Sequence, residues 1–594
     1  MIKPMTRYVF ILMNGEQDGL LEQIQSLGLM DITRSVKPVD ATSAALYAEA
    51  QRLHALADGI KNVPVPEETA AAPVDHPVEE ADRILQQLAA LKEKRKILEK
   101  NRAEQLPWGA FDAGKLRALA DAGVPLHFHV SRTKAFRPEW AEGHALHVVS
   151  VQNGKTYYVV AGPDGLPDEV RAPAADVAET EAEIDLLQQQ ADRENALALG
   201  VRNRIGELEA AEKKVLSDLD LYLARSAAAN AVEDRIVTLT GFAPTDRDAE
   251  VSAALDATGV FYLQTPATVE DNPPIKLKNN RFVKMFEVLT DMYGRPAYNE
   301  FDPTPFLSVF FLLFFAMCMG DAGYGLVLFI GGLLLKKVKG LADLAPLVST
   351  LGAGTFVVGI VMHTFFGVDI SQLSWIPAWL KSVMVTGTIA GFEAQMVLAL
   401  AIGVVHLCLA MVVKTVYATR NRGFLGSLGV WGWTLLIVGG VIIAALAVFS
   451  LLPAAAVKWI VIGLGILSGL GIFLFNDIHR NPLKNIGSGL WETYNTVTGL
   501  LADVLSYLRL YALGLAGGML GKAFNEIAGI ALGDGGFGWI PFLLILLAGH
   551  ALNLAMCCLG AFVHPLRLNF LEFFKNSGYA GSGRTYHPLQ DAKE

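Results

Sequence analysis

An α/β soluble domain with long coiled-coil helical arms, followed by an all-α membrane domain, is the architecture this sequence predicts. Three observations carry it. Charge is divided unevenly: the 594 residues hold 49 Lys and Arg and 59 Asp and Glu, but residues 301–594 contain only 16 and 13 of them. The first 300 residues are therefore acidic and the remainder nearly bare of charge. Apolar runs recur through that second part, and roughly 20 apolar residues cover about 30 Å of hydrocarbon. Two stretches of the first part combine dense Glu, Gln, Lys, Arg and Ala with Leu and Ile at helical spacing. The expected division is 1–300 for the soluble domain and 301–594 for the membrane domain.

In chain order, residues 6–13 read as a strand and 15–27 as an amphipathic helix ending at Gly28. The Pro/Ala-rich 62–77 is a loop. The first arm, about 78–102, carries Ile84, Leu85, Leu88, Leu91, Ile97 and Leu98. A helix at 111–121 and a strand at 125–130 follow. Segments 146–151 and 156–161 flank Asn153-Gly154, which signals a two-residue hairpin turn. The second arm, about 177–225, reads as one helix some 70 Å long at about 1.5 Å per residue. A strand at 235–242, a helix at 245–257 and a strand at 260–265 complete two small α/β modules joined by helical arms. That is a plan for a strut and a poor one for a catalytic cleft.

Composition excludes several functions. A net charge of −10 without any basic, aromatic-laced patch argues against a nucleic-acid partner. Neither GxxxxGK[ST] nor GxGxxG occurs, so no nucleotide site of a recognised kind is present. His54, His76, His127, His129, His144 and His147 lack accompanying Cys or Asp ligands and read as ordinary histidines, so no metal or cofactor is expected. The four cysteines, Cys318, Cys408, Cys557 and Cys558, lie in apolar stretches as core fillers. Residues 1–13 have no signal-peptide pattern, which places the soluble half in the cytoplasm.

Apolar segments fall at 306–320, 322–335, 345–366, 392–413, 425–449, 459–476, about 496–531 and 538–571. Read as eight passes, the last two long and tilted, they put Lys336, Lys337, Lys339, Lys414, Arg420, Arg422, Arg480, Lys484, Lys575, Arg584 and Lys593 on the cytoplasmic side. The outer loops then keep only Lys381 and Lys458. This is the positive-inside pattern, with both termini cytoplasmic.

The chemistry should sit where charge is expensive. Arg509 lies inside an apolar run, and Arg567 closes a stretch free of Asp, Glu, Lys and Arg since Asp534. An intramembrane arginine must face a polar path or a partner; the alternative for Arg567 is snorkelling to the interface. His550, Asn553, Cys557, Gly560, His564 and Arg567 recur every three or four residues, making one polar or small face. Glu492, Asn495, Gly499, Ala502, Ser506, Arg509, Leu513 and Gly517 do the same on the preceding helix. Such stripes line a polar path or pack helices together, and both readings stand at this point. A guanidinium keeps its proton, so it is a poor relay and a good electrostatic barrier. Asp321, between Gly320 and Gly323, is expected to cap a helix.

Asp321, Arg509 and Arg567 fall in GDAGYG (320–325), SYLRLYALGLAGG (506–518) and HPLRLNFLEFF (564–574), which stand in order with DNPP (271–274), NNRFVKMFE (279–287), MYGRPAYNEFDPTPF (292–306) and GYAGSGRTYHPL (578–589). In these motifs the chain resembles the large membrane stator subunit of V/A-type rotary ATPases, called subunit a or subunit I, in its prokaryotic form. The resemblance implies a subunit that is not itself an enzyme. It would form two ion half-channels against a proteolipid ring and couple H⁺ or Na⁺ movement to ATP hydrolysis or synthesis by other subunits. It further implies Arg509 and Arg567 as the pair that separates the half-channels, with Glu492, Ser506 and His564 lining the path. His550 or Asn553 would supply polar roles that the eukaryotic pattern places elsewhere. Implied partners are the ring, peripheral-stalk subunits, a central-stalk cap and membrane lipid, with the cell's inner (plasma) membrane as location. Two other classes compete: a secondary transporter, disfavoured by the lack of an internal repeat, and a non-conducting scaffold, in which both arginines are structural.

Overall fold

The computed structural model describes the chain apart from residues 14, 36, 67–68, 110, 163–165, 171–176, 232–235, 339, 390, 476–481, 533–537 and 591–594. Lys339, Arg480 and Lys593 of the loop-charge pattern thus lie outside the described residues. Two compact units emerge: residues 10–239 with 588–594, and residues 1–9 with 240–587. Strand β1 (Met5–Met13) passes from one to the other.

In the unit of residues 10–239, the helix Gln17–Leu27 stops at Gly28, which adopts the left-handed conformation (φ 64°) as its C-cap. Helix α1 (Ala41–Lys61), which no sequence pattern above identifies, starts with a capping box. Ser43 N–H donates to Asp40 Oδ1 at 2.8 Å and Asp40 N–H donates to Ser43 Oγ at 3.0 Å. Helix α2 (Pro77–Gln105) opens with Pro77 at its first position and Glu79 and Glu80 in its first turn, both favourable there.

The second arm corrects the expectation of a single helix. It is two helices, α3 (Val177–Asn203) and α4 (Ile205–Ser226), broken at Arg204. The Arg204 guanidinium turns back to the carbonyls of Val74 and Asp75 and pairs with Glu207, so the loop before α2 occupies the bend. Helix α2 packs along α3 and α1 along α4. Their seam holds Leu56, Ile60, Val74, Ile84, Val201 and Leu208, a shared apolar core rather than a continuous heptad.

A small antiparallel sheet of β2 (Leu126–Arg132), β3 (Ala145–Gln152) and β4 (Lys155–Ala161) runs in the order β3-β4-β2. The β3–β4 turn is Asn153-Gly154, both at positive φ (51° and 74°), as the sequence requires. The histidines are engaged separately: His54 with Glu212, His127 with Glu169 and His129 with the Pro167 carbonyl.

In the other unit, β1 lies beside β5 (Ile236–Pro244) and β6 (Phe261–Pro266). The apolar helices follow: α5 (Thr304–Met319), α6 (Ala322–Leu335), α7 (Ala345–Val361), α8 (Ala394–Arg422), α9 (Leu428–Val448), α10 (Ala454–Gly469), α11 (Pro482–Ser506), α12 (Leu508–Leu532) and α13 (Trp539–Arg567).

The expected eight spans are not found. Among the described residues five helical stretches are long and apolar enough to cross a membrane: Ala394–Arg422, Leu425–Val448, Ala454–Leu474, Lys484–Leu532 and Trp539–Ser577. Helices α5, α6 and α7 have only 16, 14 and 17 residues. At 1.5 Å per residue they reach about 21–26 Å, short of about 30 Å. The cause at the first of these boundaries is local. Gly320 caps α5 in the left-handed conformation (φ 58°), and Asp321 caps α6 by accepting N–H bonds from Gly323 and Tyr324.

Two of the sequence motifs, almost 300 residues apart, meet in this unit. Ile275 N–H donates to the Arg584 carbonyl and Gly583 N–H to the Arg295 carbonyl, while Glu300 accepts from the Ala580 N–H. The Tyr579 hydroxyl donates to the Gly294 carbonyl at 2.7 Å. The segment 578–587 is thereby laced to the segment that leads into α5.

Candidate functional site

The two arginines stand on packed neighbours, α12 and α13. Helices α11 and α12 are nearly continuous, but the chain turns tightly at Tyr507: its N–H bonds Val504 O, and Leu510 N–H bonds Tyr507 O, each only three residues apart. Arg509 follows in the first turn of α12, half-buried, and its Nη1 is buried without a hydrogen-bond partner. Arg567 is the last residue of α13 and is exposed. Pro565 interrupts that helix, and the hydrogen bonding changes to the wider π pattern over Leu568–Phe573.

The structure brings three predicted residues together here. His564, half-buried, feels the positive charge of both Arg509 and Arg567. So does Glu572, a residue the sequence did not single out. Glu572 is only 4% exposed, its Oε2 has no hydrogen-bond partner, and Asp503 also acts on it as a like charge. Asp503 in turn accepts from Asn576 Nδ2 at 2.8 Å and lies 3.8 Å from Lys575 Nζ. Both guanidinium groups thus act electrostatically on the same imidazole and the same buried carboxyl, and among the described residues neither has an ion pair within 4 Å. Charges held in that way, short of pairing, remain available to a group from outside the chain.

His550 and Asn553 belong to a separate network. The Tyr324 hydroxyl lies 2.7 Å from His550 Nδ1, and Asn553 Nδ2 donates to Tyr324 Oη (2.8 Å) and to the Gly517 carbonyl (2.9 Å). Asn525 joins His550 Nε2 to the Phe366 carbonyl. Asp321, 1% exposed, accepts four backbone N–H groups, from Gly323, Tyr324, Phe366 and Gly367. Glu492 and Ser506 are half-buried on α11, where the Ser506 hydroxyl donates to the Ala502 carbonyl of its own helix.

The stripe of small residues is engaged in packing. A Cβ on Gly517 would meet Cys557 Sγ at 2.7 Å, and one on Gly514 would meet the Met317 carbonyl at 2.7 Å. Beyond Arg509, a cavity of about 440 Å³ with a mixed polar and apolar lining runs beside α12 along Tyr511, Gly514, Gly518 and Lys522, facing Glu393 and His363. The Tyr511 hydroxyl donates to Glu393 Oε2 at 2.5 Å.

Residues 159–345 match the V-type ATPase 116kDa subunit family. The chain is 27% identical to the V-type ATP synthase subunit I 1 of Treponema pallidum over the full length of both. It is 33% identical to the A-type ATP synthase subunit I of Pyrococcus abyssi over 57% of this chain and 50% of that one. With the V-type ATP synthase subunit I of Chlamydia pneumoniae it shares 26% identity over 87% and 86%. The chain belongs to the subunit I (subunit a) family of V/A-type ATPases, in its prokaryotic form.

Proposed function

We propose that this chain forms two ion half-channels against a ring of proteolipid subunits, with Arg509 and Arg567 as the electrostatic barrier between them. Members of its family are non-catalytic stator subunits of the rotary complex, so ATP chemistry belongs to other chains. The observation that carries the reading is that Arg509 and Arg567 stand on packed neighbouring helices, act on the same His564 and Glu572, and have no ion pair among the described residues. A ring carboxylate arriving there would find a fixed positive charge, release its cation and pass on ionised. The guanidinium groups keep their protons throughout, so ions cannot cross the barrier directly.

Two further features support it. Leu490, Tyr494, Val497, Leu501 and Leu505 form an exposed apolar stripe on α11, and Leu552, Met556, Leu559 and Val563 form another on α13. Stripes of that kind suit a ring of apolar helices or lipid. The cavity beside α12, with Glu393, His363 and Lys522 in its lining, would give water a route to within a turn of Arg509. Glu492, Ser506 and His564 are assigned to the ion path, and His550 and Asn553 to its polar support.

In this reading residues 301–594 translocate the ion, which is H⁺ or Na⁺. Residues 1–300 hold the peripheral stalks and the central-stalk cap against torque. The chain lies in the cell's inner (plasma) membrane with both termini cytoplasmic; the bonds between 578–587 and the segment leading into α5, which keep both ends of the membrane domain on one side, support this.

The test is Arg509→Ala in the whole complex in liposomes, scored for assembly, ATP hydrolysis and ion pumping. Intact assembly with pumping abolished is expected. Pumping at the parent rate would make Arg509 structural and return the chain to a scaffold.

A further inference from the structure

Helix α8 carries a histidine in an unusual position. His406 is fully buried near the middle of a 29-residue apolar helix. Its Nδ1 lies 2.9 Å from the hydroxyl of Tyr507, itself fully buried, while Nε2 is buried with no partner at all. The ring lies flat against Phe573, with centroids 4.6 Å apart and planes 7° apart, and Phe310 covers it at 4.1 Å. One turn earlier Gly403 leaves the space that the Tyr507 ring fills, since any Cβ there would strike that ring.

A buried nitrogen without a partner is a cost to folding, and phenylalanine could supply the stacking. What phenylalanine could not supply is the bond to Tyr507. Two of this ring's contacts, Tyr507 and Phe573, fall on the two segments that carry the arginines. Tyr507 is the turn between α11 and α12, two residues before Arg509. Phe573 follows Glu572 on the π stretch that continues from Arg567. Rotating α12 by one residue about its axis would swing Arg509 through about 100°.

We propose that His406 is a positioning residue for both arginines: its bond to Tyr507 sets the rotation of α12, and its stacking on Phe573 sets that of the segment after Arg567. The proposal rests on the barrier role of Arg509 and Arg567. His406 moves no proton in it and touches no ion.

The experiment uses the intact complex in liposomes with His406→Phe, Tyr507→Phe, the double variant, and His406→Asn, which keeps a polar partner for Tyr507. Ions moved per ATP hydrolysed are measured beside assembly and thermal stability. A purely structural histidine would change stability and leave that ratio alone. His406→Phe and Tyr507→Phe are each expected to lower the ratio several-fold with assembly retained. The double variant should fall no further than the worse single one, and His406→Asn should recover part of the ratio. An unchanged ratio in Tyr507→Phe, the mildest of the changes, overturns the proposal, as does simple multiplication of the two single effects. Arg509→Ala separates the two levels: if it pumps normally, the barrier reading has failed, whereas if it is dead and the His406 and Tyr507 variants are coupled normally, only the positioning role has.

Discussion

Asp321 Oδ2 accepts the backbone N–H of Gly367 at 2.8 Å, joining the start of α6 to a loop 46 residues further on. Its Oδ1 takes the N–H groups of Gly323, Tyr324 and Phe366, so a carboxylate 1% exposed is satisfied entirely by backbone. Asp321→Ala strands four donors in an apolar setting. A loss of roughly 2–3 kcal/mol is expected for removing charge-assisted bonds of this kind, read as a lower thermal midpoint and a lower yield of assembled complex. Asp321→Asn should lose less. An Asp321→Ala complex as stable as the parent would show that these bonds do not hold the α5–α6 turn.

The close approach of α6 and α7 rests on glycine. A Cβ on Gly352 would collide with the Phe329 backbone, and one on Gly325 with the Phe356 backbone. Gly331, on the same helix α6, meets nothing within 4 Å. Gly352→Ala should therefore destabilise by about 1–3 kcal/mol, the usual range for overpacking. Gly331→Ala should be neutral or gain up to about 1 kcal/mol from helix propensity. Thermal unfolding of the two variants in the same detergent gives the comparison; equal midpoints would contradict the packing account.

Much of this was legible from residue patterns. Gly28 as a helix stop, Asn153-Gly154 as a hairpin turn and Asp321 as a cap each follow from chemistry within a few residues, and each is present. The failures share a cause as well. The bend at Arg204 depends on the carbonyls of Val74 and Asp75, about 130 residues away, which no local pattern reveals. The count of spans failed because apolar composition does not measure helix length: the segments at 306–320, 322–335 and 345–366 form helices of only 16, 14 and 17 residues. Glu572 was missed for a reason of period. On an α-helix it lies about 140° from Arg567, and only the π stretch narrows that angle.

Acid sensitivity should appear at the start of α1. Asp40 Oδ2 accepts the Tyr222 hydroxyl at 2.5 Å, and this bond, followed by those from Ser43, holds the carboxyl below its ordinary value. A depressed folded-state value means that the contribution to stability is complete above the unfolded value of about 3.9 and is lost as pH falls through the folded one. Amide exchange in Ala41–Lys61, corrected for intrinsic rates, should show protection falling below about pH 4. Asp40→Asn should begin with lower protection and lack that fall. A parent-like acid transition in Asp40→Asn would assign the sensitivity to another group.

Glu572 should matter to transport although it touches no external solvent. Its carboxyl lies in the field of both Arg509 and Arg567, and its Oε2 has no hydrogen-bond partner. When ionised it would moderate the positive potential of the site without pairing with either guanidinium. Replacing it with glutamine keeps the shape and removes the charge, so an arriving ring carboxylate would meet a more positive site and leave more slowly. Glu572→Gln is expected to assemble normally and to slow pumping several-fold, with ATP hydrolysis slowed in step because release limits rotation. Glu572→Asp, shorter but charged, should lie between that variant and the parent. If Glu572→Gln pumps at the parent rate, the carboxylate takes no part in setting the field at the arginines, and the convergence on His564 alone would have to account for it.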